Sequence, residues 1–315
     1  MHRRHFLSHL TAAASVFPSM RAEAKSAEAI TVETIAEAEK LAGLTFNPAQ
    51  REMMVEDLNE NLDLYRALRE TPIPNSLEPA LVFDPAIGGD LPRAGMAAMQ
   101  WKPTPLERPS ANDDLAFMGV GELSHLLRSR QITSQELTRL SLSRLRTFDP
   151  LLQVVVTLTE ERAMERAAAA DRELDAGAWR GPLHGIPYGA KDLLAVRGYR
   201  TTWGAVPFRN QVIDHDAAVV EKLDAAGAVL VAKLSLGALA WGDVWFGGMT
   251  KNPWNVEQGS SGSSAGPGSA VSAGLVPFAI GSETLGSIVS PATRNGITGH
   301  RPTFGTVSRY GAMTL

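Results

Sequence analysis

The chain has 315 residues, 44% of them hydrophobic and 20% charged, an ordinary globular composition with ample length for a large core. A net charge of −4 and a pI near 6.0 show no global bias towards nucleic acid, and 6% aromatic residues leave little material for base-stacking platforms. There is no cysteine, which excludes disulfides, thiolate metal sites and a cysteine nucleophile.

Along the chain, Arg3-Arg4, then Phe6-Leu7, a mildly apolar run and Ala22-Glu23-Ala24 read in order as a twin-arginine export signal over 1–24. That predicts a periplasmic or secreted protein. The apolar run is too short to span a bilayer, and no later stretch reaches the ~18 apolar residues of a membrane span, so no stable membrane anchor is expected. Residues 25–70 read as a helical segment. Ile30, Ile35, Ala38 and Leu41 recur at helical intervals, with Thr31 as a cap and Gly43 as a stop. Asn47-Pro48 opens a second helix carrying Met54, Leu58, Leu62 and Tyr65. Residues 71–117 are proline-rich and aperiodic, and are expected to form an arm or linker.

From 118 the texture changes. VGELSHLLRSRQITSQELTRLSLSRLRTFD predicts two helices, the second capped by Thr133 or Ser134. LQVVVTL predicts a strand, EERAMERAAAADRELDAG a helix ending at Gly177, and AAVVEKLDAAGAVLVAKL a helix running into a buried strand. Strands alternating with helices predict an α/β fold with a mixed, largely parallel central sheet covered by helices, with the first two helices as an N-terminal extension. The last segment, GTVSRYGAMTL, reads as strand-like.

Three segments carry candidate chemistry. Gly185-Ile186-Pro187-Tyr188-Gly189-Ala190-Lys191-Asp192 puts a lysine at the end of an apolar run. Burial there would lower its pKa and leave a neutral amine, a base near pH 7. Taken alone, the segment fits a surface lysine at a strand end better. Next, eleven of the twelve residues from 258 to 269 are Gly, Ser, Ala or Pro. The run is rich in hydroxyls and backbone N–H groups. No Gly-Lys-Ser/Thr follows, so it is not a nucleotide loop, and apolar sequence on both sides argues against a flexible linker. In the third segment, Gly281-Ser282-Glu283-Thr284-Leu285-Gly286-Ser287-Ile288 leaves a strand-like run and turns into a serine. Such a turn exposes a nucleophile beside backbone donors.

Order and spacing carry more than any one segment. Ser263 lies 72 residues after Lys191, and Ser287 lies 24 residues after Ser263. This layout resembles the amidase-signature family, as do Thr201-Thr202-x-Gly204, the Ala-Gly-Ala stretch from Ala226 to Lys233, Asn252-Pro253-Trp254-Asn255 and Gly299-x-Arg301-Pro302-Thr303. The likeness covers 118–315. It implies an amidase-signature fold and an amide hydrolase with Ser287 as nucleophile, Ser263 as a bridging serine after a cis peptide, and Lys191 as base. It also implies an oxyanion hole from the backbone N–H groups of Thr284, Leu285, Gly286 and Ser287. The substrate would be a small-molecule amide, cleaved through an acyl-enzyme without metal or organic cofactor. No nucleic acid is expected as partner, and a homodimer is a further expectation. His125, His184, His215 and His300 all lie outside the serine-rich segments. A Ser-His-Asp triad remains formally open, because its members need not be adjacent.

Three positions depart from the family pattern: Leu285 and, as a smaller change, Ala265 where glycine is usual, and Val289 where arginine is usual. The missing cation predicts a substrate with a neutral or apolar acyl part. One alternative is the glutamine-hydrolysing A component of an amidotransferase, using the same three residues. Another is an inactive, truncated homologue, since the family domain normally continues well beyond the 28 residues that follow Ser287, and the sheet would then be incomplete.

Overall fold

The computed structural model describes residues 29–74, 77 and 106–314. The expected export signal and most of the proline-rich stretch lie outside the described residues. The chain divides into two units, Met1–Ile73 and Pro74–Leu315.

In the first unit, helices α1 (Val32–Ala42) and α2 (Pro48–Glu70) form a pair. Thr31 and Thr34 exchange side-chain-to-backbone hydrogen bonds across the start of α1. Asn47 and Gln50 do the same for α2, where Pro48 occupies the first helical position and needs no N–H partner. Gly43, at φ 66°, ends α1 in the left-handed region. The helices are tied by Arg51, whose Nε and Nη2 donate to Glu39 at 2.7 and 2.8 Å, and by reciprocal bonds between Asn59 and the Ile30 backbone.

The second unit holds α3 (Asn112–Ala116), α4 (Val120–Arg128), α5 (Ser134–Leu152), β1 (Val155–Leu158), α6 (Glu160–Asp175), β2 (Pro187–Lys191), α7 (Ala218–Ala225) and β3 (Val229–Leu234). Two small hairpins follow, β4 (Val244–Trp245) with β5 (Gly248–Met249) and β6 (Lys251–Asn252) with β7 (Asn255–Gly259). Then come α8 (Ala265–Ser272), β8 (Phe278–Ile280) and α9 (Val289–Asn295). The central sheet runs β1-β3-β2-β8. β2 is parallel to β3 and to β8, and β1 is antiparallel to β3. The sheet is therefore mixed and largely parallel, as the alternation of strands and helices predicts.

Both faces of the sheet are covered, which is why β3 reads as an unbroken buried run rather than an alternating one. On one face Leu142 and Leu145 of α5, Ala163 and Ala167 of α6 and Ala270 of α8 pack with Val231 and Leu234. On the other, Val220 and Leu223 of α7 pack with Tyr188, Ala190 and Leu230. Gly189 sits at an irregularity in the β2–β3 register, and a Cβ there would lie 2.2 Å from Leu234 Cδ1.

Two sequence expectations need correction. The proline-rich stretch does not remain aperiodic to 117: α3 lies within it, and its Leu115 is buried in a cluster with Leu123, Leu126 and Leu137. A five-residue helix is too short to show a period. The segment 305–315 is not a strand. Its described residues form turns, with one isolated bridge, Leu194 to Ala312. Gly311, at φ 77° beside Ala217, takes the chain out of the extended region directly before the bridge.

Candidate active site

Lys191 is the last residue of β2 and is fully buried. The end of a central parallel strand points it towards the loops that follow the neighbouring strands. Its Nζ lies 2.8 Å from Ser263 Oγ, 3.1 Å from Ser264 Oγ, 3.0 Å from Ser282 Oγ and 3.3 Å from the Ser282 carbonyl. None of these acceptors is a carboxylate. Burial pushes the amine's pKa down from 10.5 to about 7, against a smaller upward pull from the charge of Glu283.

The serine-rich run is core, not linker. Ser260, Ser263, Ser264 and Ser269 are buried. Ser260 N–H donates to the Thr250 carbonyl, and Asn295 Nδ2 donates to the Ser260 carbonyl at 2.9 Å. Ser269 Oγ donates to the Lys251 carbonyl. The small residues are what let backbones meet here: a Cβ on Gly262 would fall 1.8 Å from the Gly242 carbonyl oxygen, and one on Gly266 2.5 Å from Ser235 N. The Gly262–Ser263 peptide is cis. Ser263 and Ser264 immediately precede α8.

Ser287 lies between β8 and α9, half-buried. Its carbonyl accepts from Ser264 N–H at 3.1 Å, which ties it to the serine run. Among the described residues its hydroxyl makes no hydrogen bond, to Ser263 or to any other group. Of the four expected oxyanion donors, the N–H groups of Thr284, Leu285 and Ser287 are likewise unengaged among the described residues. The Gly286 N–H instead faces the Glu283 carboxylate. Gly286 has φ 85°, which requires glycine, whereas Leu285 has no positive φ and its backbone suits any L residue. Leu285 is 91% exposed and Val289 44% exposed.

Several residues beside the site carried no individual signal in the sequence. Ser264 and Ser282 share the Lys191 amine with Ser263, and Glu283 accepts from Ile288 and Val289 N–H. Asp192 and Lys233 form a fully buried pair at 2.6 Å. Lys233 also donates to the Arg200 carbonyl and Thr201 Oγ1, while Thr202 donates to Asp192 through its N–H and its hydroxyl. Their only sequence clue was that they fall in or beside the motif segments. Two of the histidines are engaged elsewhere: His125 Nε2 accepts from Leu106 N–H and His184 Nδ1 from Arg180 N–H.

A buried amine set among serine hydroxyls at the end of a parallel strand defines the class, an α/β domain with a lysine–serine centre. The family model described as Amidase matches residues 136–315, and the chain belongs to that family. It is 44% identical over 199 residues to the A component of the glutamyl-tRNA(Gln) amidotransferase of Methylococcus capsulatus, covering 62% of this chain and 41% of that one. Identity to the corresponding component from Endomicrobium trichonymphae is 38% over 206 residues, covering 64% and 42%. Among solved structures, the native peptide amidase from Stenotrophomonas maltophilia superposes with a TM-score of 0.59 at 38% identity, covering 62% of this chain and 42% of that one. A fatty acid amide hydrolase superposes with a TM-score of 0.61 at 25% identity, covering 66% and 37%. The chain spans about two fifths of the length of the curated relatives it matches.

Proposed function

We propose that the domain is the catalytic part of an amide hydrolase acting on small-molecule amides through Lys191, Ser263 and Ser287. Neutral Lys191 takes the Ser263 proton as Ser263 takes that of Ser287, and Ser287 Oγ bonds to the carbonyl carbon. The free N–H groups of Thr284, Leu285 and Ser287 are the candidates to hold the oxyanion; one such donor is typically worth about 3–4 kcal/mol. The C–N bond then breaks as the proton returns through Ser263 to the leaving amine. Water, activated along the same path, releases the acid.

The observation that carries this reading is Lys191: buried, without a carboxylate partner, titrating near 7, and 2.8 Å from Ser263 Oγ. Such an amine is half neutral at physiological pH, where a base works best. The unbonded Ser287 hydroxyl is compatible with it, because catalytic hydrogen bonds often tighten only when substrate is bound. The test is labelling of the purified chain by a fluorophosphonate, with Ser287→Ala and Lys191→Ala as controls. Labelling lost in the serine variant and slowed in the lysine variant supports the centre. A folded chain that never labels overturns it.

Leu285 and Val289 favour a neutral or apolar acyl part, because no cation stands at 289 to receive a substrate carboxylate. Faster cleavage of amides bearing a neighbouring carboxylate would overturn that preference. A second reading is ammonia release from glutamine, favoured by the identity to the A components of amidotransferases; a glutaminase assay separates the two. Export through the signal at 1–24 weighs against an aminoacyl-tRNA role, and cell fractionation of an Arg3→Lys, Arg4→Lys variant tests it.

A further inference from the structure

Building on the proposed serine–lysine centre, we infer that Glu283 is the positioning residue of the nucleophile loop: its carboxylate gathers the peptides that flank Ser287.

The side chain of Glu283 is 3% exposed, so its charge must be compensated within the protein. One oxygen accepts from Ile288 N–H at 2.8 Å and Val289 N–H at 2.9 Å. The other lies 3.5 Å from Arg301 Nη1. Burial pushes the carboxyl's pKa up, but the N–H groups of Val289, Ile288 and Gly286, with Arg301, outweigh it and hold the group ionised below its usual range. The carboxylate thus turns inward the N–H groups of Gly286 and Ile288, the residues flanking Ser287. Ser287 N–H is left unengaged, and its carbonyl is anchored on Ser264 N–H.

The chain direction adds a second link. Ser282, the residue before Glu283, places both its hydroxyl and its carbonyl on the Lys191 amine. A six-residue segment, 282–287, therefore carries the amine's ligands at one end and the nucleophile at the other, closed on itself by one carboxylate. Among the described residues Arg301 is the cation beside Glu283, and Asp192 and Lys233 are paired with each other.

The experiment compares the full chain with Glu283→Gln and Glu283→Ala. Glutamine keeps an oxygen for the two N–H groups and removes the charge; alanine removes both. Amide hydrogen exchange at Ile288 and Val289 reads the loop, and fluorophosphonate labelling reads the nucleophile. The expected result for Glu283→Ala is exchange at both amides faster, and labelling slower, by about tenfold or more, with Glu283→Gln recovering part of both losses. Unchanged exchange at Ile288 and Val289, or equal labelling of all three proteins, overturns the inference. If the unmodified chain does not label, the proposed function fails by itself, and amide exchange still decides the role of Glu283. Should Glu283→Ala not fold, the glutamine variant carries the same decision.

Discussion

The two buried lysines of the central sheet stand on adjacent strands and meet different partners. Lys191 pairs in register with Leu234, and Lys233 with Ala190, so their side chains leave the sheet on opposite faces. Both are fully buried, and burial pushes both amines down. Lys233 meets a carboxylate at 2.6 Å, a backbone carbonyl and a hydroxyl, and the charge and hydrogen bond of Asp192 oppose its burial. Lys191 meets three hydroxyls and a carbonyl, none charged, and titrates near 7. Lys233 thus has a carboxylate partner for its charge on one face of the sheet, and Lys191 has only neutral acceptors on the other.

Breaking the Lys233 side of this comparison should have the largest effect. Asp192→Ala strands a buried ammonium and is expected to destabilise the fold by about 3–5 kcal/mol in denaturant unfolding. A loss below about 1 kcal/mol would mean that water or Thr201 replaces the carboxylate.

The Lys191 side should respond in the opposite sense and with pH. Below about 7 the folded and unfolded chains both hold the Lys191 proton, and the folded state bears the whole penalty of burying it. Between about 7 and 10.5 the folded chain has released the proton while the unfolded chain retains it, so stability rises with pH across that window. Each unit of depression corresponds to about 1.4 kcal/mol. Lys191→Met lacks this slope. Its stability advantage over the unmodified chain should shrink as unfolding is measured at successively higher pH from 7 upward, and a constant difference would mean that Lys191 titrates normally.

The smallest effect belongs to the neutral acceptors. Ser282→Ala removes one hydroxyl from the Lys191 amine but leaves the Ser282 carbonyl at 3.3 Å. A loss of about 1 kcal/mol is expected, the net worth of one neutral hydrogen bond. A loss as large as that of Asp192→Ala would put the two lysines in the same category and undo the comparison.

Much of this was legible in the sequence, for local reasons. Thr31, Asn47-Pro48 and Thr133 cap the helices they were expected to cap, because capping needs only residues three positions apart. β3 reads as a buried strand because six consecutive positions lie between two helical layers. That the segment near 312 makes only one bridge was not legible, because Gly311 leaves the extended region where it packs beside Ala217, some ninety residues earlier. Within the site, Lys191 and Ser263 carried a motif signal. Ser282 and Glu283 lie in the same motif run as Ser287, but no role could be read for them, because their work is defined by what folds back onto them.

The sequence by itself determined the alternation of the main strands and helices, the small residues of the serine run, and the candidates for chemistry, since these follow from propensity, periodicity and motif spacing. The tertiary structure alone decided the partners of those candidates. Nothing local distinguishes the lysine of Ala190-Lys191-Asp192 from that of Ala232-Lys233-Leu234 as base or brace. The distinction arises where Asp192 turns to the far face of the sheet and Ser263, Ser264 and Ser282 close on the near one. A buried amine keeps or sheds its proton according to the charges and dipoles within a few ångströms, and residues 72 and 91 positions away supply them.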